Sequence, residues 1–585
     1  MNKIKHILAC GLITMAASSC SDFLELDPKG SLSSDQLTSP EYVEKMVIAA
    51  YSLIENDNVE MMPWLFSDLR SGDAYKGGGG PSDMGFAHNI EVANTLLVNT
   101  GQLNTKWTRG YIAISRANNA LSRINALEES DYPEKNIRSG EMRFLRAHHM
   151  FELKVIFKYP VWVDETISDD ELKETSNRKY TDAELWGKII EDFRFAVANL
   201  PEDNKDVGRA DKWAAKAYLA KALLYAAYEQ DEQNNVVNID KTKLEEVVSL
   251  VDELGAKFSL VNDFADNFRW ETENGPESIF AIQNSHDDGV PFGRLNMTSV
   301  LSYPMSAGYG CCGMHIPTQE LVNAFKTDSA TGLPMFGTFN TPGEDIEDAT
   351  DLASYTVDPR LLHTVAMIGL PYKYADVSTK PAADKEKHIV NITFPREGGI
   401  YYGPFLSMKE VVSFDCPCFE QARWYYSSSL NRDIIRYDDA LLWKVEALVE
   451  IGGADNLNAA REIINSLRER AGRSTGMLRD AEGNLLADAG QFKVGLYDSF
   501  ADQDEARNAF RWERRLEMAM EASRGFDLVR WGIAAETLND YYATEAPRRE
   551  HLKTARFTKN KDEYFPIPYR QISFSRGVYE QNYGW

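Results

Sequence analysis

Gly140-Glu141-Met142-Arg143-Phe144-Leu145-Arg146-Ala147-His148-His149-Met150-Phe151 places apolar side chains at the spacing of one helical face, and the fold is read outward from it. Downstream, Thr181-Asp182-Ala183-Glu184 forms a capping box ahead of Leu185, Ile189, Phe193 and Val197, which recur on one face of a second helix. Asp211 to Tyr228 is a third, rich in alanine where another backbone approaches closely. Asp438 to Ile451 and Leu457 to Ala471 form a pair joined by Gly452-Gly453, and Asp504 to Ala522 is a further helix. The middle differs. From about 274 to 429 the chain is rich in Gly, Pro and Tyr, with one helix at Thr318 to Phe325 and short apolar runs such as Ser278 to Ile282. The expectation is a mostly α protein: a helical scaffold, mainly 35–255 and 430–535, carrying a loop-rich face with minor short strands. Ligand binding is expected on those loops, because long ordered irregular segments in a compact chain are usually functional.

Composition narrows the function. The 585 residues carry 43% hydrophobic and 26% charged side chains, ordinary for a globular chain, with a net charge of −26. So acidic a surface repels phosphate backbones, which excludes nucleic acid, and disfavours attachment to anionic lipid by charge alone. Membrane contact must be covalent. The amino terminus offers it: Lys3 and Lys5, a short apolar stretch from Ile7 to Ala16, then Ala17-Ser18-Ser19-Cys20 have the order of a secretory signal. About ten apolar residues are too few to span a bilayer as a helix. Small residues leading into Cys20 predict removal of residues 1–19 and lipidation of Cys20; a plain cleaved signal with an incidental cysteine is the alternative. The remaining cysteines pair as Cys311–Cys312 and Cys416–Cys418, without the two-to-four-residue gaps of zinc ligands, so disulfides within or between the pairs are expected. The sequence does not assign their connectivity.

No catalytic signature stands out. Glu513, Glu517 and Glu521 share a helical face, but Arg514, Arg515 and Arg524 surround them, which predicts an ion-paired structural network rather than the paired carboxylates of a glycosidase. The glycines at 77–80 lack the Lys-Ser/Thr of a phosphate loop. His148 and His149, adjacent on a helix, are not expected to face one ligand. Trp107, Trp186, Trp213, Trp443 and Trp512 fall within helical patterns and are assigned to packing. The loop aromatics form two candidate patches suited to sugar rings: Trp64 with Asp68, Asp73, Tyr75 and Lys76, and Tyr303, Met305 and Tyr309 beside Cys311-Cys312.

Short segments along nearly the whole chain carry a resemblance. They include Trp107-x-x-Gly110-Tyr111, Gly140-Glu141-x-Arg143-Phe144-Leu145-Arg146-Ala147, Pro276-Glu277-Ser278-Ile279-Phe280, Asp358-Pro359-Arg360-Leu361, Glu513-Arg514-Arg515-Leu516-Glu517, Phe526-Asp527-Leu528-x-Arg530-Trp531-Gly532 and Phe565-Pro566-Ile567-Pro568. In order, they resemble the SusD/RagB-like outer-membrane lipoproteins of Bacteroidetes. The resemblance implies one domain over 20–585, with tetratricopeptide-like helical hairpins under a loop-rich remainder. It also implies a lipid-anchored protein facing the cell exterior, which captures a glycan for a SusC-like TonB-dependent transporter and does not cleave it. Stacking is then expected on Tyr303, Tyr309 and Tyr75, with Asp73 and Lys76 bonding hydroxyls and a Cys311-Cys312 bridge adding an apolar plate. Gly72 interrupts the family's usual Ser-Asp pairing before Asp73, and Ala17 stands where the lipobox usually has Leu. No cofactor is called for, and a structural calcium is left open. The alternatives are capture of peptides or glycopeptides for a related importer, a secreted α-helical glycoside hydrolase, and a surface-layer protein.

Overall fold

The computed structural model describes residues 39–54, 59–286, 288–289, 294–306, 308–422 and 425–585. The signal segment and Cys20 lie outside the described residues. Helix accounts for 47% and strand for 9%, so the protein is mostly α with short strands only. No helix among the described residues is long and apolar enough to cross a membrane.

The principal helices are α1 (Pro40–Tyr51), α2 (Gly101–Asn125), α3 (Lys135–Phe157), α4 (Asp182–Asn199), α5 (Lys212–Ala227), α6 (Lys241–Leu254), α7 (Tyr437–Ile451), α8 (Ala454–Arg473), α9 (Gln503–Met518) and α10 (Arg524–Arg530). Each helix from α1 to α8 packs on its successor, and α7 also packs on α9. The array therefore runs on unbroken from α6 to α7, although residues 255–436 separate them in sequence. Local chemistry sets the ends. The Thr181 hydroxyl accepts from Glu184 N while the Glu184 carboxylate accepts from Thr181 N, the reciprocal box expected. Asp211 caps α5 by accepting from Ala214 N. Gly110 on α2 sits so close to Leu153 of α3 that an added Cβ would stand 2.9 Å from its Cδ1. Gly452 and Gly453, both at positive φ, turn the chain from α7 into α8. The stretch 504–522, expected as one helix, stops at Met518: Ala519 is extended and Met520 takes a φ of 65°.

Three small antiparallel pairs matter to the site. Strands β1 (Ala74–Gly77) and β3 (Met314–Pro317) pair with Tyr75 opposite Ile316 and Gly77 opposite Met314. Strand β2 (Ser278–Ile282) pairs with β6 (Arg432–Arg436), and β4 (Phe419–Ala422) with β5 (Tyr425–Ser428). Buried ion pairs fasten the loop-rich segment to α9. Glu513 pairs with Arg360 at 2.7 Å and Arg468 at 3.1 Å, Glu517 with Arg360 at 2.7 Å and with Arg470, and Glu521 with Lys409 at 2.6 Å and Arg436 at 2.7 Å. Glu513, Glu517 and Glu521 thus form an ion-paired structural network, but with distant partners, whereas the neighbouring Arg514 and Arg515 turn to Asp439, Asp527, Asp73 and Glu320.

Candidate functional site

β1 enters a fully buried environment, and its side chains serve the interior. Asp73 accepts from Arg515 Nε at 2.8 Å, and Arg524 lies 3.6 Å away. The Tyr75 hydroxyl bonds the Glu545 carboxylate; burial, then that carboxylate, hold its pKa well above the ordinary value. Lys76 turns under the loop that follows and donates to the carbonyls of Gly77 at 2.8 Å, Gly80 at 3.0 Å and Asp83 at 2.6 Å. Its ammonium also lies 5.0 Å from the Tyr402 ring, and burial pulls its pKa down to about 8.

Tyr303 and Tyr309 are likewise inside. Their rings stack on each other at 6.2 Å, Tyr372, Phe414 and Phe419 pack edge-on to Tyr309, and the Tyr309 hydroxyl accepts from Phe414 N at 3.2 Å. Burial pushes the Tyr303 hydroxyl up to about 12 and Tyr309 further. All five residues expected to touch a ligand, Asp73, Tyr75, Lys76, Tyr303 and Tyr309, are at most 1% exposed. None of the five presents its side chain to solvent. These side chains brace the surrounding loops from behind, and a sugar stacking on them would first have to displace their packing partners.

What faces outward is set by that bracing. The loop after β1, held by Lys76, runs through half-buried Gly79 and buried Gly80. Asp83 accepts from Gly79 N at 2.9 Å and pairs with Arg396 at 3.0 Å. Gly80 lies against the ring of Tyr401, where an added Cβ would stand 3.5 Å from Cζ. Tyr401 is 43% exposed and its neighbour Ile400 76%, whereas Tyr402 turns inward to Tyr75 and His551. Ile392 and Met305 are also exposed, and Met305 N donates to Phe394 O at 2.9 Å. Arg396 packs on Gly313, the residue after the Cys311–Cys312 disulfide, and the Tyr426 ring covers Gly310 before it. Cys311 is half-buried and Cys312 buried; Cys416 and Cys418 form the second disulfide.

Three loops thus meet at a shelf of exposed apolar area, with the Arg396–Asp83 pair at its edge. That is the combination of flat surface and few polar groups suited to a sugar ring. Sequence reasoning passed over Tyr401. The signal was present in Gly398-Gly399-Ile400-Tyr401-Tyr402-Gly403, where glycines isolate an apolar triplet in a loop.

The histidine pair behaves differently from expectation. Ring nitrogens of His148 and His149 and a carboxylate oxygen of Glu152 all lie within 4.8 Å of one another. Lys106, however, holds Glu152 at 3.2 Å and Arg432 lines the same small cavity, so positive charge already fills the place of a cation.

A model described as SusD family matches residues 276–585, more than half of the chain. The chain belongs to the SusD family. A second family model, described as "Starch-binding associating with outer membrane", matches residues 22–224 of this SusD-family chain. It is 22% identical over 554 residues to SusD-like protein P25 of Formosa agariphila, covering 92% of each chain, and 22% identical to a SusD-like protein of Bacteroides ovatus, covering 90% of this chain and 82% of that one. Among solved structures, a SusD-like protein of Bacteroides fragilis superposes with a TM-score of 0.67 at 21% identity, covering 95% of this chain and 99% of that one. A laminarin-binding SusD-like protein gives 0.63 at 19%, covering 94% and 100%, and surface glycan-binding protein A of Bacteroides fluxus gives 0.63 at 19%, covering 93% and 99%. At these identities the superpositions carry the fold.

Proposed function

We propose that this SusD-family chain is a surface glycan-binding lipoprotein. Tethered to the outer membrane through Cys20 and facing the cell exterior, it captures an oligosaccharide or polysaccharide on the shelf of Tyr401 and Ile400 and delivers it to a SusC-like TonB-dependent transporter. The observation that carries the reading is the shelf itself: an exposed tyrosine ring over a glycine-rich loop that is stapled from below by Lys76 and edged by Arg396. The family description and the printed names of the laminarin-binding and surface glycan-binding neighbours support it. The chain acts by binding and does no chemistry. In support, the shelf carboxylate Asp83 is taken up by Arg396 and the Gly79 N–H, not left to activate water.

Affinity electrophoresis through gels containing a panel of polysaccharides tests this. At least one glycan retards the wild type. One ring–sugar contact is worth about 0.5–1.5 kcal/mol, so Tyr401→Ala weakens retention about two- to tenfold. Equal mobility of wild type and Tyr401→Ala on a retarding glycan removes the shelf, and reducing-sugar release during incubation removes the binding-only role.

A further inference from the structure

Away from the shelf, a cavity of about 640 Å³ opens between α9, α10 and the loop carrying Phe336. That volume is in the range of small-ligand sites. Trp512, assigned from sequence to packing, is only half-buried there. Its indole N–H is satisfied by Ala324 O at 3.2 Å, and the exposed Phe336 ring stands edge-on to it at 5.2 Å. A flat indole with a phenyl ring at the mouth leaves apolar area facing a solvent-open groove.

The same walls carry Arg511, Arg515 and Arg524. Arg515 and Arg524 share Asp73, with Glu320 adding a second carboxylate to Arg515 at 3.2 Å. Burial, and then the Arg515 charge, pull Arg524 down to about 10. Arg511 lies over the Trp531 ring at 4.9 Å. The acidic groups nearest it are engaged elsewhere: Glu446 accepts from Arg530 and the Trp531 indole, and Glu450 from Arg507. Among the described residues no carboxylate is in ion-pair contact with Arg511. Glu505, the one carboxylate on the groove wall, accepts from Ala501 N at 2.5 Å.

On a chain of net charge −26 this is a cationic, tryptophan-floored groove. We propose that it is a second saccharide site, for a sugar unit bearing a carboxylate or sulfate. The ring's C–H face lies on Trp512 and Phe336, and Arg511 receives the anion, a planar donor pair suited to either group. The proposal deepens the glycan-binding reading and rests on it. It separates the two tasks, because elsewhere an acidic surface repels an acidic glycan.

Isothermal titration of the full-length exported chain with tetragalacturonate, a sulfated tetrasaccharide and neutral cellotetraose tests the groove. Wild type is compared with Arg511→Gln, Phe336→Ala and Tyr401→Ala, each checked by its thermal melt. The first two replace side chains at a solvent-open wall, so folding is expected to survive. The expected result is that an anionic tetrasaccharide binds, loses about fivefold or more in affinity in Arg511→Gln and in Phe336→Ala, and weakens as salt is raised. The carboxylate and sulfate arms identify which anion is taken. Unchanged affinity in both groove variants, or anionic sugars bound no better than cellotetraose, overturns it. If Tyr401→Ala alone alters binding, the groove falls while the shelf stands; if no glycan on any panel binds, both fall.

Discussion

Glu517 on α9 is fully buried between two guanidiniums, Arg360 at 2.7 Å and Arg470. Arg360 comes from the loop-rich segment and Arg470 from α8, so this carboxylate clamps the face that carries the site to the helical frame. Glu517→Ala leaves Arg360 with Asp358 and Glu513, and Arg470 with Glu277. Each guanidinium keeps other carboxylates but loses the buried charge-assisted bond that Glu517 supplied, and the link between the two is broken. Removing one partner of a buried pair costs about 3–5 kcal/mol. Unfolding entropy of about 2.1 cal/mol/K per residue gives roughly 1.2 kcal/mol/K over 585 residues, so the expected fall in Tm is about 2.5–4 °C for a chain that melts as one unit. Scanning calorimetry reads this directly. The control is Glu41→Ala in the exposed Lys45–Glu41 pair, where both side chains are mostly in water and no change in Tm is expected. A Glu517→Ala protein melting within about 0.5 °C of wild type refutes the view that this network holds the two parts together.

Two further outcomes follow from the interior. His148 and His149 are buried, and burial lowers their pKa values to about 4 and about 3, against an ordinary 6.5. The unfolded chain therefore binds protons that the folded chain refuses. The stability these rings contribute is complete above pH 6.5 and is lost as pH falls through 6.5 toward 4, at about 2–3 kcal/mol per ring by pH 4.5. Urea midpoints at pH 7 and 4.5 should converge in His149→Leu relative to wild type; an identical acid dependence would discard the assignment. Peptide mapping under non-reducing conditions should find Cys311 joined to Cys312 and Cys416 to Cys418, and any cross-pair peptide would contradict the loop architecture.

The helical frame was legible because its signals are local. The Thr181–Glu184 box, the Gly452-Gly453 turn and the apolar stripe from Phe144 to Phe151 each depend on residues within a turn or two, and each reappears at the expected place. The end of α9 was missed because the chain leaves the helix at Ala519 while Glu521 still reaches Arg436 and Lys409, so the charge pattern outlasts the backbone that began it. The site was legible only as a region. Tyr75, Tyr303 and Tyr309 sit in irregular segments without a period of 2 or 3.6, so nothing in the sequence tells which side of the backbone faces the core. The direction comes from long-range partners: Glu545 for Tyr75, and Tyr372, Phe394 and Phe419 for Tyr309. Tyr401 and Tyr402 show the limit at its sharpest, being adjacent and chemically identical, one outward on Gly80 and one inward on His551.

This arrangement explains how one frame can present a changeable surface. The anchors Arg360 and Lys409 enter α9 from the loop-rich segment, and Lys76 fastens the glycine loop through backbone carbonyls only. None of these bonds depends on what Tyr401, Ile400 or Met305 are, so outward residues can change without loosening the loops behind them. The net charge follows the same division. Buried Arg146, Arg360, Arg468, Arg470, Arg514 and Arg530 are each met by buried or half-buried carboxylates, which leaves the excess of acid to the exterior. An acidic sugar would need a guanidinium not already matched by a carboxylate. In the Trp512 groove Arg515 and Arg524 are matched by Asp73 and Glu320, and among the described residues Arg511 meets that condition.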